Sequence, residues 1–173
     1  MTNDKIKLMI QYALMIRLTT VSTMLISIPT PGTKGFFNLG DTMVLLAALL
    51  LGQKGGLIVG GIGSALADTL LGYTHWAPFT LIIKGLEGYL AGSLLKTDFG
   101  QKYQLLALIP PAGWMVLGYY LVEVFLYGWA PALLGVPTNL IQAGVGVAGA
   151  RVLSLALTKT KLFKSLAQNQ ICK

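Results

Sequence analysis

Charge is scarce in this chain. Only 11% of its 173 residues are Asp, Glu, Lys or Arg, and six of them are acidic. Cysteine and histidine occur once each, as Cys172 and His75. One thiol in a polar tail excludes a disulfide framework, a thiolate metal cluster and a cysteine nucleophile with a partner. A lone histidine with no Cys, His or Glu at ligand spacing excludes an ordinary zinc site. There is no P-loop, no HExxH and no paired nucleophile and base, so membrane enzymes are disfavoured, with Glu87 or Glu123 as general base the form that chemistry would take. Lack of charge, with 54% hydrophobic residues and a mean hydropathy of +0.70, excludes an ordinary soluble domain. The net charge of +7 does not point to nucleic acid, because the lysines fall between and outside apolar runs and form no dense basic face.

What is present is a series of apolar runs. Crossing a bilayer takes about 20 apolar residues per helix, and polar breaks with Pro and Gly mark six candidate spans. They cover about 7–28, 41–53, 55–72, 79–96, 103–128 and 137–158, the second too short to span unaided. The expected fold is all-α, one integral membrane domain over residues 1–173 with six transmembrane helices. Lys5 and Lys7 before the first run imitate a secretory signal, but no small-residue cleavage site follows, so a retained first helix is expected.

Six spans place both termini on one side. Lys5, Lys7, Lys54, Lys96, Lys102, Lys159, Lys161, Lys164 and Lys173 then share that side and only Lys34 lies opposite, which predicts cytoplasmic termini in a prokaryotic plasma membrane. Phe36, Phe37, Tyr73, Trp76, Tyr127 and Trp129 fall at the external ends, where aromatic rings favour the interface. Rows of small residues, Thr19, Thr23 and Ser27 or Gly56, Gly60 and Ser64, predict close helix packing or a docking face for another subunit.

Charged groups inside a bilayer cost about 2.5–3.5 kcal/mol each on insertion scales, which makes the few present here candidates for function. Lys84 and Glu87 are i, i+3 in the outer half of the fourth span. Glu123, with Tyr119 and Tyr120 a turn below it, occupies the outer half of the fifth, Asn139 and Gln142 begin the sixth, and Asp68 ends the third. This shared depth predicts a small-ligand pocket facing outside. A buried Lys84–Glu87 ion pair that only holds the bundle is the structural alternative. Arg17 and Arg151 lie nearer the inner half and are expected to snorkel or bridge helices. The loop 29–40 is expected to fold back as a lid, irregular backbone being tolerated beside a wet cavity. Asn38 would reach the ligand from it, Asp41 would cap the second helix, and His75 with Trp76 would cover the pocket from above.

The segments IPTPGTKGFFNLGD, GLIVGGIGSALAD and HWAPFTLIIKGLEGYLAG resemble those of the S components of energy-coupling factor (ECF) transporters, over essentially the whole chain, and most of all the branch of hydroxymethylpyrimidine and vitamin B6 transporters. The resemblance implies a membrane subunit that captures a vitamin or precursor outside and docks on a transmembrane T subunit with two ATPases. It implies no cofactor of its own, ATP being used by the partners. It places Asn38, His75, Trp76, Lys84, Glu87, Glu123, Asn139 and Gln142 at the ligand, to which the residue reading adds Tyr119. The ligand stays open between a hydroxylated pyrimidine or pyridine and other vitamins such as pantothenate. A stand-alone ion-coupled carrier is the alternative. Family first helices often carry Ala-x-x-x-Ala for docking, where this chain has Ala13 and Arg17.

Overall fold

A computed structural model describes residues 3–29 and 36–158. Gly32, Lys34 and Gly35 of the expected lid, and Lys159, Lys161, Lys164, Cys172 and Lys173 of the tail, lie outside the described residues. The elements in chain order are α1 (Asn3–Leu25), β1 (Ile28–Pro29), β2 (Phe36–Phe37), α2 (Gly40–Leu70), α3 (Ala77–Leu95), α4 (Asp98–Lys102), α5 (Gln104–Ala107), α6 (Ile109–Tyr127) and α7 (Trp129–Thr158).

The longest helix is two. Gly52 has φ 69 and ψ −162, outside helical space and in a region that glycine occupies without a Cβ penalty. A Cβ placed on Gly60 would stand 2.8 Å from Cγ1 of Val44. Sixteen residues of straight helix would separate those positions by about 24 Å, so the chain turns back at Gly52 and its arms, 40–51 and 53–70, lie side by side. The first arm is the centre of the molecule: Val44, Leu45 and Ala47 have no exposed surface.

Glycine then sets the tightest contact. A Cβ on Gly56 would strike the backbone of Gly88 and the reverse also holds, while Gly60 faces the carbonyl of Lys84. In lipid the hydrophobic effect does not drive helices together, and direct backbone approach gives the dispersion contact that does. On α1, Thr19 packs at Gly63 and Thr23 at Gly40. Their row is therefore an internal seam with α2, while Ala13, Arg17 and Ser27 are exposed. Thr20 Oγ1 donates to Ile16 O at 3.0 Å and to Gly63 O at 2.8 Å. Thr20→Val should lower stability in detergent by about 1 kcal/mol, the size of an interhelical bond in membrane proteins, read as a drop in Tm.

The outer surface is inverted relative to a soluble domain. Phe125, Leu25, Val152 and Ile141 are 81%, 76%, 65% and 62% exposed, as expected where lipid is the solvent. Among the described residues four helical stretches are long and apolar enough to cross a membrane, Lys5–Leu25, Gly40–Leu70, Gln104–Tyr127 and Trp129–Leu157, the second being the pair of arms that meets at Gly52. The helix that carries Lys84 and Glu87, α3, is not among them.

The structure departs from the expected elements in three places. The fold is all-α as expected, and its helices are joined by one addition, a short antiparallel ribbon with Ile28 opposite Phe37 and Pro29 opposite Phe36, which closes the base of the first loop. The stretch before the fifth span forms two short helices, α4 capped by Thr97 Oγ1 accepting from Gly100 N at 3.1 Å, and α6 begins with prolines in its first turn, where a missing N–H costs nothing. Residues 129–136, expected as a connection, are the first turns of α7. Gly128, at φ 87, makes the reversal alone, and Pro137 is carried inside the helix, as transmembrane helices tolerate.

Candidate functional site

At the end of the bundle where the ribbon meets α2, α3, α6 and α7 lies a cavity with about 410 Å³ of space unfilled by protein atoms, part of it open to solvent. Phe36, Asn38, Asp68, Trp76, Thr80, Tyr119, Glu123, Asn139 and Gln142 line it. Asp68 reaches it because arm 53–70 runs toward this end of the bundle and stops at Leu71 and Gly72, whose φ of 85 ends the helix. Thr80 is one turn before Lys84 on α3, and Gln142 one turn after Asn139 on α7, so helical periodicity presents each pair on one face.

Of the residues singled out in the sequence, Asn38, Trp76, Tyr119, Glu123, Asn139 and Gln142 stand at this cavity. His75 is exposed at its rim, with Nε2 3.5 Å from the Tyr127 hydroxyl. Lys84 and Glu87 do not line it, being 1% and 0% exposed behind the wall. Lys84 is ion-paired with Asp41, and its Nζ lies 3.3 Å from Glu87 Oε2 and 5.5 Å from the centre of the Tyr119 ring, close enough for cation–π attraction.

Asp41 is the residue whose role changes. The expected cap by Asp41 is absent, its carboxylate being engaged by Gln142 and Lys84. Asp41 turns inward instead, because pairing with a buried ammonium in low dielectric outweighs a capping bond. Asn38 takes the local role: its Oδ1 accepts from Gly40 N at 2.9 Å. The Gln142 amide joins the two groups, accepting from Asn38 N at 2.7 Å and donating through Nε2 to Asp41 Oδ2 at 2.8 Å. A backbone N–H on one side and a carboxylate on the other fix which amide atom faces which. A continuous polar chain thus runs from the first loop through α7 and α2 to α3.

Trp76 forms the other wall. It is 3% exposed, with ring centres 5.9 Å from Tyr119, 6.2 Å from Tyr127 and 6.3 Å from Phe79, and Tyr119 donates to Thr80 Oγ1 at 3.2 Å. Phe36 stacks on Tyr73 with centres 4.9 Å apart, holding the ribbon to the 71–76 turn. Sequence reasoning missed Thr80 and Phe36. The spacing 80, 84, 87 was the available signal for Thr80, being i, i+4, i+7 on one helical face.

Such a site can bind a small flat molecule. It offers carboxylates, amides, hydroxyls and aromatic faces but holds no nucleophile with an adjacent base, and among the described residues no group of three His, Cys, Asp or Glu stands together to hold a metal. Gln142→Leu should loosen the first loop at Asn38 while leaving Lys84 paired. Ligand dissociation, followed by quenching of Trp76, should accelerate about tenfold, as for loss of one to two buried hydrogen bonds.

Comparison with known proteins decides the family. The model of the ECF-type riboflavin transporter S component matches residues 3–159. The chain belongs to this S-component family. It is 35% identical to the thiamine precursor transporter HmpT of Lactococcus lactis subsp. cremoris over 161 residues, 92% of this chain and 93% of that one. It is 44% identical to an uncharacterized protein from the gap 3′ region of Pyrococcus woesei over 130 residues, 74% of this chain and 86% of that one. The S component is therefore a multi-pass protein of the cell membrane and a transporter subunit, with the hydroxymethylpyrimidine branch of the family supported by HmpT. It is not an enzyme.

Proposed function

We propose that this S component captures a hydroxymethylpyrimidine- or pyridoxine-like molecule from outside the cell, for ATP-driven uptake with a T subunit and two ATPases. The observation that carries the reading is the cavity at one end of the bundle, where polar groups from α2, α3, α6 and α7 meet Trp76 and Tyr119. Its walls suit a ring of pyrimidine size with hydroxyl and amino substituents. The reading counts six membrane segments, the arms of α2 taken separately, with both termini cytoplasmic, as the lysine distribution supports. The ribbon and the described residues 36–40 of the first loop serve as the lid, held at Asn38. All nine residues read from the sequence belong to the binding layer, Lys84 and Glu87 as its buried support and His75 at its rim.

The test is calorimetry of the purified protein in detergent with 4-amino-5-hydroxymethyl-2-methylpyrimidine and pyridoxine, beside riboflavin and pantothenate. Saturable binding of one of the first two is expected, without uptake in proteoliposomes under a proton gradient until T and ATPase subunits are added. Uptake by the protein alone would establish the ion-coupled carrier instead.

A further inference from the structure

Four of the chain's six acidic residues, Asp41, Asp68, Glu87 and Glu123, are buried together at this site, each 4% exposed or less. Among the described residues Lys84 is the cation ion-paired within this group, held by Asp41 and Glu87. Two carboxylates against one ammonium leave that layer short of positive charge before the cavity wall is counted. Asp68 and Glu123 stand in the wall itself. Asp68 has no ion-pair partner among the described residues, and its Oδ2 is buried without a hydrogen bond. Thr80 hydrogen-bonds to the Asp68 side chain and Tyr119 lies near it, while Asn139 and Gln142 from α7 line the same cavity and His75 is exposed at the rim. Burying excess charge of one sign is costly unless an opposite charge or a proton meets it.

We infer that the site takes its ligand as a cation, a protonated nitrogen heterocycle whose charged N–H donates to Asp68. The inference rests on the reading of the chain as a vitamin-capturing subunit, and narrows it to ligands with a basic ring nitrogen. A neutral ring of equal shape would offer Asp68 at most an uncharged donor and leave its buried charge uncompensated.

The probe is 4-amino-5-hydroxymethyl-2-methylpyrimidine labelled with ¹⁵N in the ring, at a pH where the free molecule is uncharged. Bound to the full-length protein in detergent, its ring nitrogen should show the protonated ¹⁵N shift. The carbocyclic isostere 2-amino-4-methylbenzyl alcohol should bind about 10- to 100-fold more weakly, the range of a charge-assisted hydrogen bond. Asp68→Asn should lose a similar factor and the protonated shift, and Asp68→Glu should restore both in part, which separates loss of charge from loss of fold. An unprotonated bound ring, or equal binding of the isostere, overturns the inference and leaves capture intact. So does retention of an uncharged vitamin in place of the pyrimidine. If no vitamin binds at all, the capture reading falls with it.

Discussion

Lys84→Met should lower the stability of the S component by about 3–5 kcal/mol, the usual cost of removing one partner from a buried ion pair. The size follows from what is left behind: Asp41 and Glu87 stay in the bundle, 1% and 0% exposed, without the ammonium that both face. Binding should suffer more than stability alone accounts for. Asp41 also receives Gln142 Nε2, and Gln142 holds Asn38, so the disturbance reaches the cavity wall. A thermal unfolding series in detergent checks the first effect and calorimetry the second. The triple variant D41N/K84M/E87Q, which removes all three charges, should recover most of the Tm lost by Lys84→Met. An unchanged Tm in Lys84→Met would mean that the triad carries no stability.

Gly88→Val should prevent assembly of the α2–α3 pair. A Cβ at position 88 falls on the backbone of Gly56, which cannot rotate aside as a long side chain could. The cost should meet or exceed the ~3 kcal/mol upper end of ordinary overpacking. Gly113 and Gly144 are the controls: a Cβ there meets nothing within 4 Å, and replacement by Ala should move Tm by no more than a surface change, about 0.5 kcal/mol. The readout is the monodisperse yield and Tm of each variant in one detergent. A well-folded Gly88→Val at wild-type Tm would refute the backbone contact.

Much of this was legible in the sequence because lipid simplifies the code. Apolar runs gave the helices, and the rarity of polar groups within them made Glu123, Asn139 and Gln142 conspicuous. The sequence could not say which way each side chain turned. Asp41 sits where a cap is expected, and only the partner 43 positions later, Lys84, draws it inward. Lys84 and Glu87 were the most conspicuous pair and stand behind the cavity, because two carboxylates already hold the ammonium. Thr80 was overlooked because a neutral hydroxyl raises no alarm inside an apolar run. The start of α7 was misplaced for a related reason: Pro137 was read as the first residue of the span, while Gly128 was sufficient for the turn.

The reversal at Gly52 has a consequence for the journey of a nutrient. Twelve residues of helix, the arm 40–51, rise only about 18 Å, whereas the hydrocarbon is about 30 Å deep. On the proposed topology, with the Gly52 end of that arm at the inner face, about two-fifths of the hydrocarbon depth remains above it. On the proposed reading, a captured molecule above that arm would rest part of the way across the barrier before the partner subunits act.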